Sequence, residues 1–311
     1  MRKLAVAALA LVGFWLGMSL FFLPFYATHA TDNPVVTAPS DVGLNYQEVV
    51  IHSDGLALPG WWMPAANPRA VLMFVHGAGS SRTSHFIDSL NLYAAFVMED
   101  ISVLTIDLRN HGNAPKTDGR WTMGLEEHRD LLAMSLWLDD HTDQSVPRLA
   151  MGASMGGATV IHALANGLAV DGVILLDPAL NTADSLAQGG RTETGLPSVL
   201  FQPYAWAATT FYGLPKGESD AGALITDVKQ PILLIQDPDD PVTRLTFAQA
   251  AAATNSMIQL VTAAPVPQDT DCLRNKGRWG THVAAFKCDS QWTMNAVNKY
   301  LHTVGLHPSA L

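Results

Sequence analysis

Cysteine is almost missing from this chain of 311 residues: only Cys272 and Cys288 occur, both near the C-terminus. No C-x-x-C and no H-E-x-x-H spacing is present, which argues against a zinc site and leaves a disulfide or two free thiols as the readings of the pair. Charge is scarce too. Only 15% of the residues are charged, and 18 basic against 28 acidic residues leave a formal net charge of −10. No basic run occurs anywhere, which argues against a nucleic-acid partner, because phosphate binding needs concentrated Lys and Arg. Internal repeats and low-complexity tracts are absent as well, and the length suits one α/β domain with insertions.

What the chain does have is a long apolar run. After Arg2 and Lys3, residues 4–26 (LAVAALALVGFWLGMSLFFLPFY) carry no charge, long enough for a helix to cross a bilayer. The two cations on its N-terminal side predict a cytoplasmic N-terminus and an exported body. A cleaved signal peptide would have a shorter apolar region and a better cleavage site than Thr28-His29-Ala30, so residues 1–26 read as an uncleaved anchor. Gly13 and Gly17 form a G-x-x-x-G, a weak signal in such a segment. Residues 27–45, rich in Pro, Thr, Ser and Asp without periodicity, read as a linker.

The folded domain is expected from Tyr46 to the C-terminus, residues 46–311. It opens on a hairpin turning at Asp54-Gly55. Short apolar runs then follow at 70–75, 102–106, 148–152, 172–176, 231–235 and 257–261, as in strands buried on both faces. Helical patterns at 84–98, 124–138, 155–165, 243–255 and 283–299 separate or follow them. This alternation predicts a mostly parallel central sheet with helices on both faces. Residues 180–226 break the rhythm. They hold Phe201, Tyr204, Trp206, Phe211 and Tyr212 among glycines and prolines, an insertion of the size to cover a crevice like a lid.

In such a sheet ligands sit beyond the C-terminal ends of the strands. There the chain places Gly152-Ala153-Ser154-Met155-Gly156, a G-x-S-x-G between strand and helix, the context of a nucleophile elbow. Ser154 is the candidate nucleophile. A serine needs a base and the base an orienting acid, expected in the order acid, then histidine. DPDD after the next-to-last strand offers Asp237, Asp239 and Asp240. Asp240 is the choice, with Asp237 and Asp239 shaping the turn and Asp177 in LLDPAL as the rival. His282 is the candidate base; His302 and His307 lie too near the tail. The oxyanion would be held by the amides of Met155 and of Ala78 in HGAGSS, with Gly77 the less favoured donor. His76 reads as a packing residue.

Taken together, HGAGSS, DLRNHG at 107–112, GASMGG, DPDDPV and GTHVAAF resemble the α/β-hydrolase superfamily in order and spacing, and the start of the domain resembles membrane-anchored esterase and lipase-like members. The resemblance implies an α/β-hydrolase fold, a carboxylic-ester substrate, no cofactor, and scaffold roles for Asp107, Arg109 and His111. Peptidase or acyltransferase activity would use the same three residues, and a binding scaffold without catalysis would keep only the fold. One departure stands out: residues 262–280 intervene before the histidine, where relatives have a short loop. A Cys272–Cys288 disulfide would restrain such a loop around His282, and its survival requires the oxidising side of a membrane. The expected location is therefore extracytoplasmic. The aromatic insertion suggests an apolar acyl or alcohol pocket, and no feature of the sequence sets an oligomeric state.

Overall fold

The computed structural model describes residues 2–306 except Asp32 and Gln268, so His307 and the tail beyond it lie outside the described residues. Strands β1 (Gln47–Ser53) and β2 (Leu56–Met63) form the hairpin, turning where Asp54 and Gly55 both take positive φ. Strands β3 (Ala70–Val75), β4 (Ile101–Ile106), β5 (Arg148–Ala153), β6 (Gly172–Leu176), β7 (Ile232–Gln236) and β8 (Ile258–Thr262) complete an eight-stranded sheet of order β1-β2-β4-β3-β5-β6-β7-β8. β2 pairs antiparallel with both neighbours, and every pairing from β4 onward is parallel. This is the α/β-hydrolase fold.

Strands β3 to β7 are near-continuous apolar runs because helices cover both faces. Along β3 the pleat sends Val71, Met73 and Val75 to one core and Leu72 and Phe74 to the other. The first core takes Leu131, Met134 and Leu138 from the helix His128–His141 and Val160 and Ile161 from the helix Met155–Ala165. The second takes Tyr93 and Phe96 from the helix Ser89–Met98 and Val297, Tyr300 and Leu301 from the helix Ser290–Thr303. The strand order reverses around β3, so the crevice beyond β3 and β5 is where a ligand is expected.

Several boundaries differ from the sequence pattern: the helices expected at 124–138 and 243–255 run His128–His141 and Leu245–Thr254, and two further differences have visible causes. The pattern over 283–299 is two helices, Ala285–Cys288 and Ser290–Thr303, broken where the Asp289 side chain accepts from Trp292 N and caps the second. The expected helix at 84–98 begins only at Ser89, because Asp88 takes a left-handed backbone at φ 63° that a right-handed helix cannot run through.

Between β6 and β7 the chain is helical, with Thr182–Thr194, a 3-10 turn Ser198–Phe201, Gln202–Phe211 and the short Ala221–Leu224. Before the hairpin, Arg2–Tyr26 is a helix long and apolar enough to cross a membrane, interrupted by a π-helical turn at Met18–Phe22. The stretch that follows, which composition marks as a spacer, runs against the body. Thr28 is buried, Trp121 N donates to Thr28 O, and Ala30 N donates to Gly119 O.

Candidate active site

β5 delivers Ser154 into a sharp turn at φ 54°, ψ −120°. A non-glycine residue there stores roughly 1–3 kcal/mol of strain and persists only where its surroundings hold it. Here Ser154 N donates to Leu176 O, and Ser154 O accepts from Gly157 N and Ala179 N. The flanking glycines are required by closeness. A Cβ on Gly152 would stand 2.2 Å from Gly156 O, and one on Gly156 would stand 2.2 Å from Val75 O. The motif is therefore the condition for helix Met155–Ala165 to start directly against the ends of β5 and β3.

The structure brings the three expected residues together. His282 Nδ1 lies 2.7 Å from Asp240 Oδ2, and His282 Nε2 lies 2.9 Å from Ser154 Oγ. With Nδ1–H donating to the carboxylate, Nε2 is left to accept the serine proton. Asp240 is itself fixed, for its Oδ1 accepts from Val242 N and Thr243 N and its Oδ2 from the Thr243 hydroxyl. Burial would raise this carboxyl, but the charge and hydrogen bond of His282, with the Thr243 and Val242 amides, hold it below the usual carboxylate range.

Asp177 sits beside this group without bonding the imidazole. Its two oxygens accept from Asp237 N (2.7 Å) and Val283 N (2.8 Å), the first in the acid loop and the second next to His282. Complete burial and the nearby Asp240 charge push its carboxyl well above the ordinary range. Asp237 in turn accepts from Asp239 N and from the Thr281 hydroxyl, so it too links the two loops. Asp177, Asp240 and His282 could each offer an atom to one metal ion. Both carboxylates, however, already hold hydrogen-bond donors on each oxygen, and the cluster is a closed network rather than an open ligand set.

Sequence reasoning missed Lys276. It is 2% exposed, and its Nζ donates to His282 O at 2.6 Å and to Phe86 O at 3.2 Å while lying over the Phe86 ring. Burial, helped by the charge of Lys287, lowers its amine to about 7. It lies within the loop closed by the Cys272–Cys288 disulfide, whose Cα atoms are 5.1 Å apart. The loop around His282 is thus held at its rim by the bond and at its centre by the amine.

On the opposite side, the loop after β3 passes close to the serine, so close that a Cβ on Gly77 would stand 3.8 Å from Ser154 Oγ. His76 Nε2 accepts from Leu108 N, which leaves Nδ1–H to donate to Gly77 O. Burial and the neighbouring His111 hold that ring to about 3, so it stays neutral and acts as a fixed strut. Gly79 O accepts from Thr31 Oγ1 and Asn33 Nδ2, which ties this loop to the chain behind the N-terminal helix. Asp107 and Arg109 pair with Arg82 and Asp130 inside the body, as scaffold residues would.

Ser154 and His282 open into a cavity of about 760 Å³, within the range of small-molecule sites. Ala78 and Met155 also line it. Most of its wall is apolar: Phe86, Ile87 and Trp121 from the body, Leu186, Phe201 and Tyr204 from the insertion, and Leu23 and Ala27 from the N-terminal segment.

Solved structures share this architecture. An esterase of Pyrococcus furiosus, Pf2001, superposes with a TM-score of 0.70 at 21% identity, over 88% of this chain and 98% of its own. Est1E of Butyrivibrio proteoclasticus, solved with ferulic acid, gives 0.57 at 18% identity over 79% and 98%. A bacterial membrane phospholipase A gives 0.56 at 16% identity over 98% and 99%, so that likeness takes in the N-terminal helix. No curated protein sequence matches the chain. The profile of the serine aminopeptidase, S33 family of hydrolases matches residues 66–267, more than half of the sequence, and the chain belongs to that family.

Proposed function

We propose that this protein is a membrane-anchored serine esterase working on the extracytoplasmic side. The observation that carries the reading is the unbroken relay from Ser154 Oγ through His282 to Asp240 at the base of an apolar cavity. Ser154 attacks the ester carbonyl as His282 Nε2 takes its proton. Asp240 keeps Nδ1 protonated and stabilises the imidazolium. The amides of Ala78 and Met155, the second at the first turn of a helix and without an intrahelical partner, hold the oxyanion. His282 then returns the proton to the leaving alcohol, and water releases the acyl group by the same steps in reverse.

The family's name speaks of aminopeptidases, which must hold a free ammonium group. The only acid among the described cavity residues is Glu193, and it already accepts from Trp279 Nε1. The lining favours an uncharged, apolar substrate, hence an ester. Similar structures named esterase and phospholipase agree with that choice. Export is supported by Arg2 and Lys3 ahead of the apolar helix and by the disulfide.

Intact-mass measurement after a fluorophosphonate probe tests the nucleophile. One adduct is expected on the wild type and none on Ser154→Ala, whose hydrolysis of p-nitrophenyl butyrate should fall by roughly 10⁴-fold or more. An adduct that persists in the variant would remove Ser154 from the mechanism.

A further inference from the structure

The N-terminal helix does not stand free of the body along its whole length. Trp15 Nε1 donates to Leu200 O at 3.1 Å, and the Tyr212 hydroxyl donates to Phe21 O at 3.1 Å. The later part of the helix therefore lies along the insertion. Residues 4–14, ahead of the first of these bonds, amount to roughly 16 Å of helix, about half of a ~30 Å hydrocarbon core. A full crossing must immerse Trp15 to Tyr26 as well, together with whatever packs beside them.

The insertion has the surface for this. Residues 194–215 contain no charged side chain. Yet Leu196, Val199, Trp206 and Phe211 are each more than half exposed, beside Phe21, Phe25 and Tyr26 of the helix, which are exposed as well. An apolar surface shared by two elements and left facing water marks an interaction site. The aromatic residues among them are of the kind that settle at a membrane interface. The inner faces of the same elements form the catalytic cavity, since Phe201 and Tyr204 of the insertion and Leu23 and Ala27 of the N-terminal segment line it with Ser154.

We infer that the insertion and the end of the N-terminal helix dock as one face into the leaflet next to the body, and that the cavity between them takes acyl chains of lipid esters directly from that leaflet. The chemistry of this inference rests on the serine-esterase reading, and its geometry on the helix spanning the bilayer. The acyl chain passes from hydrocarbon to an apolar cavity without crossing water, while the ester reaches Ser154 beneath the insertion.

The experiment uses the full chain reconstituted in vesicles of dioleoylphosphatidylglycerol and dioleoylphosphatidylethanolamine. In vesicles carrying brominated acyl chains, the quenched fraction of tryptophan fluorescence should be smaller for Trp206→Phe than for the wild type. An equal or larger quenched fraction would place Trp206 in water and overturn the docking face. The double variant Trp206→Asp/Phe211→Asp should lose about tenfold or more of oleate release from these vesicles, since carboxylates oppose immersion. Its hydrolysis of dissolved p-nitrophenyl butyrate should stay within about twofold, because neither side chain touches the reacting groups. Undiminished oleate release would overturn the inference. If the double variant loses both activities, Trp206→Phe decides, as it keeps an aromatic ring in place. A wild type that cleaves p-nitrophenyl butyrate but frees no oleate overturns the lipid substrate and leaves the esterase standing. A wild type inert to both esters and to fluorophosphonate defeats the esterase itself.

Discussion

The Lys276 amine has two backbone carbonyls for partners, one of them His282 O, and the burial of its charge opposes folding. Its folded value of about 7 lies below the unfolded value of 10.5. Between these two the folded chain binds fewer protons than the unfolded one, so stability rises with pH across the window, and the penalty is fully present below pH 7. Lys276→Met should remove that slope. Denaturant unfolding at a series of pH values is expected to separate the two proteins by a slope approaching about 1.4 kcal/mol per pH unit. Parallel lines would mean that the amine is as solvated as in the unfolded chain.

Asp177 makes a different case, since both of its oxygens accept backbone amides from the two loops that carry Asp240 and His282. Asp177→Asn keeps the shape but turns an NH₂ toward one of those amides. The expected loss is about 1–3 kcal/mol of stability. In kinetics kcat should fall while KM for p-nitrophenyl butyrate holds, because the loops position the relay and not the substrate. A changed KM with constant kcat would contradict this. Ser154 and Lys276 show how far side chains were legible. Ser154 announces itself because a strained turn needs small neighbours at fixed spacing, and those neighbours are letters in the sequence. In Arg274-Asn275-Lys276-Gly277-Arg278, by contrast, nothing marks the middle cation as the inward one. That choice is made by the positive φ at Asn275 and Gly277 and by the carbonyls waiting inside.

Among the elements, the loop from β8 to the helix Ser290–Thr303 is the one closed by a covalent bond. In the chain-entropy picture a loop of this size gains roughly 3 kcal/mol from its disulfide. Most of that should be felt locally, because the sheet is complete without the bond. Mild reduction should therefore lower ester hydrolysis well before far-ultraviolet circular dichroism changes. Equal loss of both would mean that the bond holds the whole fold and not the loop. The strands were readable as elements because burial on both faces leaves unbroken apolar runs. The insertion was not, since its aromatics fit a pocket or a private core equally well. The structure divides them: Phe201 and Tyr204 turn in and line the cavity, while Trp206 and Phe211 turn out. Tyr204 and Trp206 stand two residues apart in the helix Gln202–Phe211 and so face opposite sides, but which side meets the cavity is set by how that helix packs, which no local pattern records.

For the whole molecule the same lesson applies to residues 27–45. Lack of periodicity matches a stretch whose one helix among the described residues is the short 3-10 turn Pro39–Val42, but it says nothing of packing. Thr28 is buried, Arg120 Nε donates to its hydroxyl, and Thr31 and Asn33 hold Gly79 O in the loop beside the serine. A chain truncated to residues 38–311 would keep the relay and lose this brace. Its fluorophosphonate labelling should slow by about tenfold, since small misplacements in a site are costly, and its melting temperature should drop. Labelling at the full-length rate would show that the segment only tethers.

His282 and both cysteines lie beyond the last strand, and the family profile ends before them. A growing or reduced chain can therefore possess a finished serine turn, its acid and its sheet while the proton acceptor still swings on an unfastened loop. If the bond restrains the loop, such a protein should be latent until it forms. Its hydrolysis should then mature with the oxidation of its tail, the oxidised chain reacting faster with fluorophosphonate than the reduced one.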